Sequence, residues 1–491
     1  MVGRCRGVAL VLGCVLSLAG CGGGGGGGGR PPTPTPIPPT STPRPPTPTP
    51  EGELRLSRVF PPTGSAGGGT AVVIEGAGFL NAGETEVFFS SVAAHNIIVL
   101  NDRQISCVTP AGEAGAAASV EVMNDKGGLV LVDGYRYGGG GSPDLLDVEL
   151  SGQPSLRFDS SIGTTIIVAD YLVRDNDGNL LEESDLEVSM FIDGEQLGVG
   201  GRFGESVLDR DSEELDLNVL VQLVLDASYS LEQFNPPQFA PMLQGAESLV
   251  EEGTQIWSDR GGTFNWSIVW FDELISRPDP TLMSRFRIRD IPPPEPGNFT
   301  KLYSAVSNAI ELSTGLAGRG IANGPRDRHV LVVFTDGLDN LSSFGNPDVH
   351  REGELRNGDP YPRVGWRATA LGDVLQETAR HPLYPENLTV HTIALGRDCS
   401  SGGQGGACFD TAALAAIAQV GFGQLLISPR NVESLFDLIQ REFTTLQSSG
   451  AIVALGTGEY EFRLVARQRR SGASGEISFR FRVTTDNAEP L

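Results

Sequence analysis

The chain has 491 residues and a formal charge of −25, with 36 Lys and Arg standing against 61 Asp and Glu. That length exceeds what one hydrophobic core serves, so several domains are expected. The acidic field excludes nucleic acid as a partner and disfavours broad attraction to anionic lipid, because no basic patch is dense enough to offset it.

Residues 1–20 place Arg4 and Arg6 ahead of an apolar stretch over 8–18, the pattern of a targeting segment and not of a folded element. Leu18-Ala19-Gly20-Cys21 resembles a bacterial lipobox. The resemblance implies a cleaved signal peptide, an acyl group such as palmitate on Cys21, and a lipid-anchored envelope protein. Without that cysteine in register the stretch reads as an ordinary secretion signal. Gly22 after the cysteine resembles the pattern of lipoproteins sent to the outer membrane, facing the periplasm or the cell surface. No apolar run after residue 21 reaches the roughly 20 residues of a membrane-spanning helix, so lipid is the expected anchor. Residues 21–53 form a tether: Gly22 to Gly29 are coil-like, and the Pro/Thr-rich 31–50 a stiff spacer of about 3.1 Å per residue.

Residues 54–138 read as a small β-sandwich of short alternating runs between turns. Val59-Phe60-Pro61-Pro62-Thr63-Gly64, Ile74-Glu75-Gly76-Ala77-Gly78-Phe79, Cys107-Val108-Thr109-Pro110 and the closing Gly134-Tyr135-Arg136-Tyr137 resemble an IPT/TIG immunoglobulin-like domain. The resemblance implies a spacer or a binding module. Gly76 and Gly78 are expected in turns; no helix follows them, so they do not form a dinucleotide loop. Gly138 to Gly141 mark a flexible boundary.

Residues 145–217 alternate apolar and polar without helical periodicity, as in Thr164-Thr165-Ile166-Ile167-Val168-Ala169. Asp175-Asn176-Asp177-Gly178-Asn179 is read as a hairpin turn, since a calcium loop of the EF-hand kind needs a later Glu and flanking helices. In residues 450–491, Tyr460-Phe462-Leu464 and Ile477-Phe479-Phe481-Val483 alternate about a turn at 471–475. That hairpin is too small to be stable alone. The two regions are therefore expected to form one β-sandwich split around the segment between them.

Residues 218–449 alternate strand-like and helix-like runs, as an α/β doubly wound sheet requires. Helices are expected over 239–251, 302–312, 369–379, 411–420 and 432–446, and strands over 219–225, 265–271, 330–335, 388–395 and 424–427. The first strand ends in Asp226-Ala227-Ser228-Tyr229-Ser230. One carboxylate and two hydroxyls, all hard oxygen donors, supply half of a small divalent cation site. Thr300 precedes a helix and Asp336 ends another strand, and ligands from three βα junctions meet at the carboxyl edge of an open α/β sheet. Taken alone, DxSxS is also a helix N-cap cluster.

The order DxSxS, Thr, TDG resembles the metal-ion-dependent adhesion site of von Willebrand factor type A (VWA) domains. The resemblance implies a Rossmann-like domain in which Asp226, Ser228, Ser230, Thr300 and Asp336 hold a cation, directly or through water, with an acidic group of a protein or glycan partner completing its coordination. It further implies that movement of the last helix, 432–446, is coupled to the site. Mg2+ or Mn2+ is expected over Ca2+, because many hydroxyls and few carboxylates suit the smaller ion. Pro- and Gly-rich loops over 278–296 and 342–363 flank the site and are placed to shape partner choice.

Cys399 and Cys408 bracket a Gly-rich loop and are expected to pair in an oxidising compartment, while Cys107 is read as a small buried hydrophobe. The five histidines show no paired metal-ligand spacing, and HExxH, Walker and GxSxG motifs are absent from the sequence. The sequence thus reads as a binding protein and not an enzyme: a cell-envelope lipoprotein with a metal-dependent adhesion site. A structural envelope scaffold that does not use metal, and a regulatory subunit of a separate enzyme, are the alternatives.

Overall fold

The computed structural model describes residues 54–138 and 145–490 except for 152–153, 160–161, 176–178, 199–205, 209–214, 234–236, 260–261, 273–274, 277–286, 289–290, 292–299, 320–321, 323–325, 340–368, 386, 400–407, 429–438 and 440–444. The expected signal peptide, Cys21 and the tether lie outside the described residues. So do nearly all of the 278–296 and 342–363 loops and most of the expected 432–446 helix. The described chain is multidomain and mostly β.

Strands β1 (Arg55–Phe60), β2 (Ala71–Ala77), β3 (Glu86–Phe89), β4 (His95–Asn101), β5 (Gln104–Val108), β6 (Ala117–Asn124) and β7 (Gly127–Tyr137) build an N-terminal sandwich. One sheet runs β1-β2-β5-β4; the other joins β7, β6 and β3, with the short strands Thr63–Gly64 and Val92–Ala93 at its ends. The period of two in each strand turns Val72, Ile74, Ile105, Cys107, Val120 and Val122 inward, where all are fully buried. Burial pushes the free Cys107 thiol up to about 12, which leaves it unreactive. Gly76 stands inside β2 and not in a turn. A Cβ there would lie 2.0 Å from the Arg55 carbonyl oxygen, so the close passage of β1 requires glycine. Gly78, with φ +84°, does turn the chain.

Next come β8 (Asp147–Leu150), β9 (Ser155–Asp159), β10 (Thr164–Arg174) and β11 (Leu186–Ile192). After β10 the Asp175 carboxylate accepts from the Asn179 N–H at 2.8 Å and from its side-chain amide at 3.1 Å, a short-range turn closure.

The central segment contains β12 (Asn218–Asp226), α1 (Phe239–Asp259), β13 (Thr263–Phe271), α2 (Leu302–Ala317), β14 (Arg328–Thr335), α3 (Leu371–Ala379), β15 (Leu388–Leu395), α4 (Thr411–Val420) and β16 (Phe422–Ser428). Its strands are parallel in the order β13-β12-β14-β15-β16, with Ile275–Ser276 antiparallel at the β13 edge. Val219, Val221, Leu223 and Leu225 of β12 pack with Met242, Ala246 and Leu249 of α1. Val224 falls in the other core, with Ala305 of α2, Val374 of α3 and Leu414 of α4. Helices α1 and α2 run past residues 251 and 312, where the sequence pattern fades, because Trp257 and Leu316 still reach apolar surface.

Beyond this segment β17 (Gln447–Val453) pairs antiparallel with β10, and β18 (Gly458–Gln468) with β11. Strand β19 (Ser474–Val483) completes the hairpin with β18. Strands before and after the central segment thereby share one core, which includes Ile167, Tyr171, Met190, Phe462 and Phe481. The returning strand opens at Gln447, ahead of residue 450 where the sequence reading divides the regions, since Gln447 already stands opposite Tyr171 in the ladder.

The parts are docked and not strung out. Val73 and Leu100 of the N-terminal sandwich belong to the apolar cluster of α3 and α4. Gln419 of α4 donates to the Asn96 carbonyl at 2.9 Å and to Ser106 Oγ at 3.0 Å. At the amino edge of the parallel sheet, Asp170 of β10 is paired with Arg326 at 2.7 Å and Arg328 at 3.2 Å, all three side chains being buried. Ser448 donates to the same carboxylate at 2.5 Å.

Candidate metal centre

Strand β12 is buried from Val219 through Asp226, an apolar run that ends in a carboxylate. The Ala227 N–H bonds the Phe271 carbonyl at 2.7 Å, which carries the pairing with β13 one residue further. The Ser228 N–H then turns back to Asp226 Oδ1 at 2.9 Å. This closure leads into a one-turn helix at Ser230–Gln233 and brings the two serine hydroxyls to 2.8 Å of each other. Asp336 Oδ1, from the end of β14, accepts from Ser230 Oγ at 2.9 Å and from Ser228 Oγ at 3.4 Å.

Two further contacts fix the carboxyl edge. Thr335 Oγ1 donates to Asp226 Oδ2 at 2.7 Å and accepts from the Gly337 N–H at 3.1 Å. Thr300 reaches the same turn: a Cβ built on Gly337 would lie 3.0 Å from Thr300 Oγ1. The start of α2 is held by the Lys301 N–H on the Asp272 carbonyl at 2.9 Å and by Asp339 Oδ1, which accepts from the Tyr303 N–H at 3.1 Å. The structure thus gathers Asp226, Ser228, Ser230 and Asp336 in one hydrogen-bonded cluster, with Thr300 against its Gly337 side. The hydrogen bonds of Thr335 and Asp339 are not legible in the sequence, where Thr335 stands only as the first residue of the TDG triplet and Asp339 only as a position shortly after it.

Asp226 and Asp336 are both fully buried. Burial raises the Asp226 carboxyl above its usual range, against the hydrogen bonds from Thr335 and Ser228. Burial and then the neighbouring Asp226 charge raise Asp336. Among the described residues, Asp336 Oδ2 is buried without a hydrogen-bond partner. Buried carboxylates that repel each other, hydroxyl oxygens alongside and one orphaned acceptor form a donor set that a hard cation fits, since positive charge reverses the repulsion and occupies the orphan. Among the described residues there is no cluster of three or more His, Cys, Asp or Glu side chains suited to a metal. Hydroxyls make up the rest of the candidate set.

Cys399 and Cys408 are joined in a disulfide just beyond the carboxyl end of β15. The histidines hold a surprise relative to their spacing: His329 and His381 come together about buried Ser313. The Leu383 N–H donates to His381 Nδ1 at 3.1 Å, so His381 carries its proton on Nε2 and gives it to Ser313 Oγ at 2.9 Å. Ser313 in turn donates to His329 Nδ1, and His329 Nε2 donates to the Ala322 carbonyl at 2.9 Å. All four ring nitrogens are committed, and both rings are neutral donors in a structural chain with no lone pair left to bind a metal.

The family model of the IPT/TIG domain matches residues 54–137. That stretch is an IPT/TIG domain. It is the module whose β4 and β5 receive Gln419. No curated protein matches the chain. Among solved structures, the chain is similar to proximal thread matrix protein 1 from the mussel byssus with a zinc-occupied MIDAS motif, at 14% identity, covering 50% of each chain, TM-score 0.28. It is also similar to BatB from Bacteroides thetaiotaomicron, at 13% identity over 46% of this chain and 97% of that one, TM-score 0.27. The von Willebrand factor domain of the type V pili tip protein Mfa5 from Porphyromonas gingivalis shares 12% identity over 46% of this chain and 95% of its own, TM-score 0.27. The chain spans about half the length of the mussel protein. At these TM-scores the likenesses assign neither a fold nor a function.

Proposed function

We propose that the segment from residue 218 to the start of β17 is a VWA-type domain whose Asp226, Ser228, Ser230, Thr300 and Asp336 hold Mg2+ or Mn2+. The bound cation bridges the protein to an acidic group on a protein or glycan partner, and the role is binding and not catalysis. The chain acts at a bacterial cell envelope, held there by lipid on Cys21. The observation that carries this reading is the convergence of the serine hydroxyls on Asp336 Oδ1 while Asp336 Oδ2 is buried with no bond from the described residues. A cation placed there supplies the positive charge that two carboxylates in a strongly acidic chain otherwise lack.

Isothermal titration of the purified full chain tests the site. Mg2+ and Mn2+ should bind, Ca2+ more weakly, and Asp226→Ala should abolish the heat while circular dichroism stays unchanged. Identical titrations for the two proteins would remove the metal. For the anchor, Cys21→Ser should move the protein from the membrane pellet to the soluble fraction; a variant that still pelleted after a salt wash would remove the lipid.

A further inference from the structure

A cavity of about 190 Å³ lies where the IPT/TIG domain, the split sandwich and the parallel sheet meet. Phe60 of β1 walls it from the first, Leu150 of β8 and Leu172 of β10 from the second, and Leu388 of β15 and Phe422 of β16 from the third. The Phe60 and Phe422 rings meet edge to face at 5.6 Å, so part of the wall is aromatic. Arg328 opens β14 and Asp336 follows its other end, which sets the cavity and the metal centre at opposite edges of the sheet.

Among the described residues, the charged side chains on the wall are Glu149, Arg174 and Arg328. Arg174 Nε lies 3.9 Å from Glu149 Oε2, so those two charges offset each other. Arg328 has no carboxylate to itself. Arg326 donates to Asp170 as a fork, from Nε at 3.1 Å and from Nη2 at 2.7 Å, and Arg328 Nη2 makes one contact to the same group at 3.2 Å. The other bonds of Arg328 go to neutral acceptors, the Asn387 side-chain oxygen and the Ser151 carbonyl. Asp327 turns away to Asn218, its Oδ1 accepting from the backbone N–H at 3.1 Å and from the side-chain amide at 3.0 Å. Two guanidinium groups therefore share one carboxylate, and arginine does not shed its charge. The excess is buried: Arg328 is 5% exposed, and among the described residues its Nε has no hydrogen-bond partner. Burial lowers the Arg328 pKa, and Asp170 and Asp327 restore it only in part.

We propose that this cavity binds a small monocarboxylate with an aromatic or branched apolar body, the carboxylate on Arg328 and the body against Phe60, Leu172 and Phe422. A guanidinium matches carboxylate geometry, and a single excess charge calls for a single anionic group. A dry cavity of about 150 Å³ holds a benzene ring, so this one takes a ring with its carboxylate and leaves no room for an attached chain. Apolar walls select such an acid over an inorganic anion, which would leave them unfilled. The bound acid touches all three parts of the fold and braces their docking.

A ligand-observed NMR titration of the purified full chain with phenylacetate tests this, with a chelator present so that no cation at the carboxyl edge can take the carboxylate. Phenylacetate should bind with a dissociation constant of about 1 mM or tighter and raise the unfolding midpoint. Phenylacetamide, which keeps the shape without the charge, and acetate, which keeps the charge without the body, should each bind at least about tenfold more weakly. Arg328→Gln should weaken phenylacetate binding by about tenfold or more, with the Asp170–Arg326 pair still in place. Thr389→Phe, which fills the cavity from β15 and leaves Arg328 intact, should do the same, so the test does not depend on one variant. Circular dichroism checks that each variant is folded. No binding up to about 10 mM, tenfold above that constant, would overturn the proposal. So would phenylacetamide or acetate binding as tightly as phenylacetate, or unchanged affinity in a folded variant.

Discussion

Thr335 donates its hydroxyl to Asp226 at 2.7 Å, so the carboxylate that opens the DxSxS run is oriented by the residue preceding the other buried carboxylate, Asp336. Groups that orient a metal's ligands typically matter to its affinity almost as much as the ligands do. Thr335→Val keeps the β-branched shape and removes only the donor. It should weaken Mg2+ binding about 10- to 100-fold while leaving the far-ultraviolet spectrum intact. Affinity equal to wild type by calorimetry would show that Asp226 needs no such support.

His381 is buried and neutral, its pKa lowered to about 3 by burial and then by the charge that His329 would carry. An unfolded histidine protonates near 6.5. Above that value both states are neutral and the group is silent. Below it the unfolded chain takes up a proton that the folded chain refuses, so stability falls as pH drops from about 6.5 toward 3. By pH 4.5 the loss should be roughly 2–3 kcal/mol. Urea unfolding at pH 7 and pH 4.5 measures it, and His381→Gln should remove that part of the slope. An unchanged slope in the variant would mean that carboxylates alone set the acid limit.

Burial opposes ionisation of Asp170, yet Arg326 and Arg328 outweigh it and hold the carboxyl below its usual range. Its contribution is therefore present above the unfolded value near 3.9 and is lost as pH falls through the folded one. Asp170→Asn leaves both guanidinium groups buried without their counter-charge and should cost about 3–5 kcal/mol in denaturant unfolding. A cost below about 1 kcal/mol, the scale of an exposed pair, would show that other acceptors suffice.

Gln222 sits mid-strand in β12, fully buried, between Ser267 and Leu331 in the ladder, and among the described residues neither its side-chain oxygen nor its nitrogen has a partner. Replacing an unsatisfied buried amide with an apolar side chain of similar size removes a desolvation cost of about 1–3 kcal/mol. Gln222→Leu should accordingly raise the unfolding temperature of the full chain. A lower midpoint would show that the amide is satisfied in solution.

Local pattern carried some elements to the residue. The runs Leu388–Leu395 and Thr411–Val420 begin and end as their apolar periods do, and Asp410 caps the helix by accepting from the Ala413 N–H at 3.0 Å. The DxSxS pentapeptide could be placed at a strand end because the apolar run over 219–225 gives way there to a carboxylate and two hydroxyls. Relations between distant segments were not legible. Gly76 looks like a turn glycine until β1 is known to pass beside it. Neither Gln419 nor Ser106 has a sequence neighbour that hints at their bond. The His329–Ser313–His381 chain likewise joins β14, α2 and the turn after α3, so no spacing encodes it.

The amino edge of the parallel sheet, where Arg326 and Arg328 meet Asp170, and the carboxyl edge, where Asp226 lies, are separated by the length of β12, nine residues or roughly 30 Å. A pull at one edge resisted at the other runs lengthwise along the strands. The ladder bonds that join β12 to β13 and β14 are then loaded in shear, sharing the force, and do not open one at a time as they would if peeled from an end. The same sheet that gathers the oxygen donors is thus oriented as a tension member between them and the β-sandwich below.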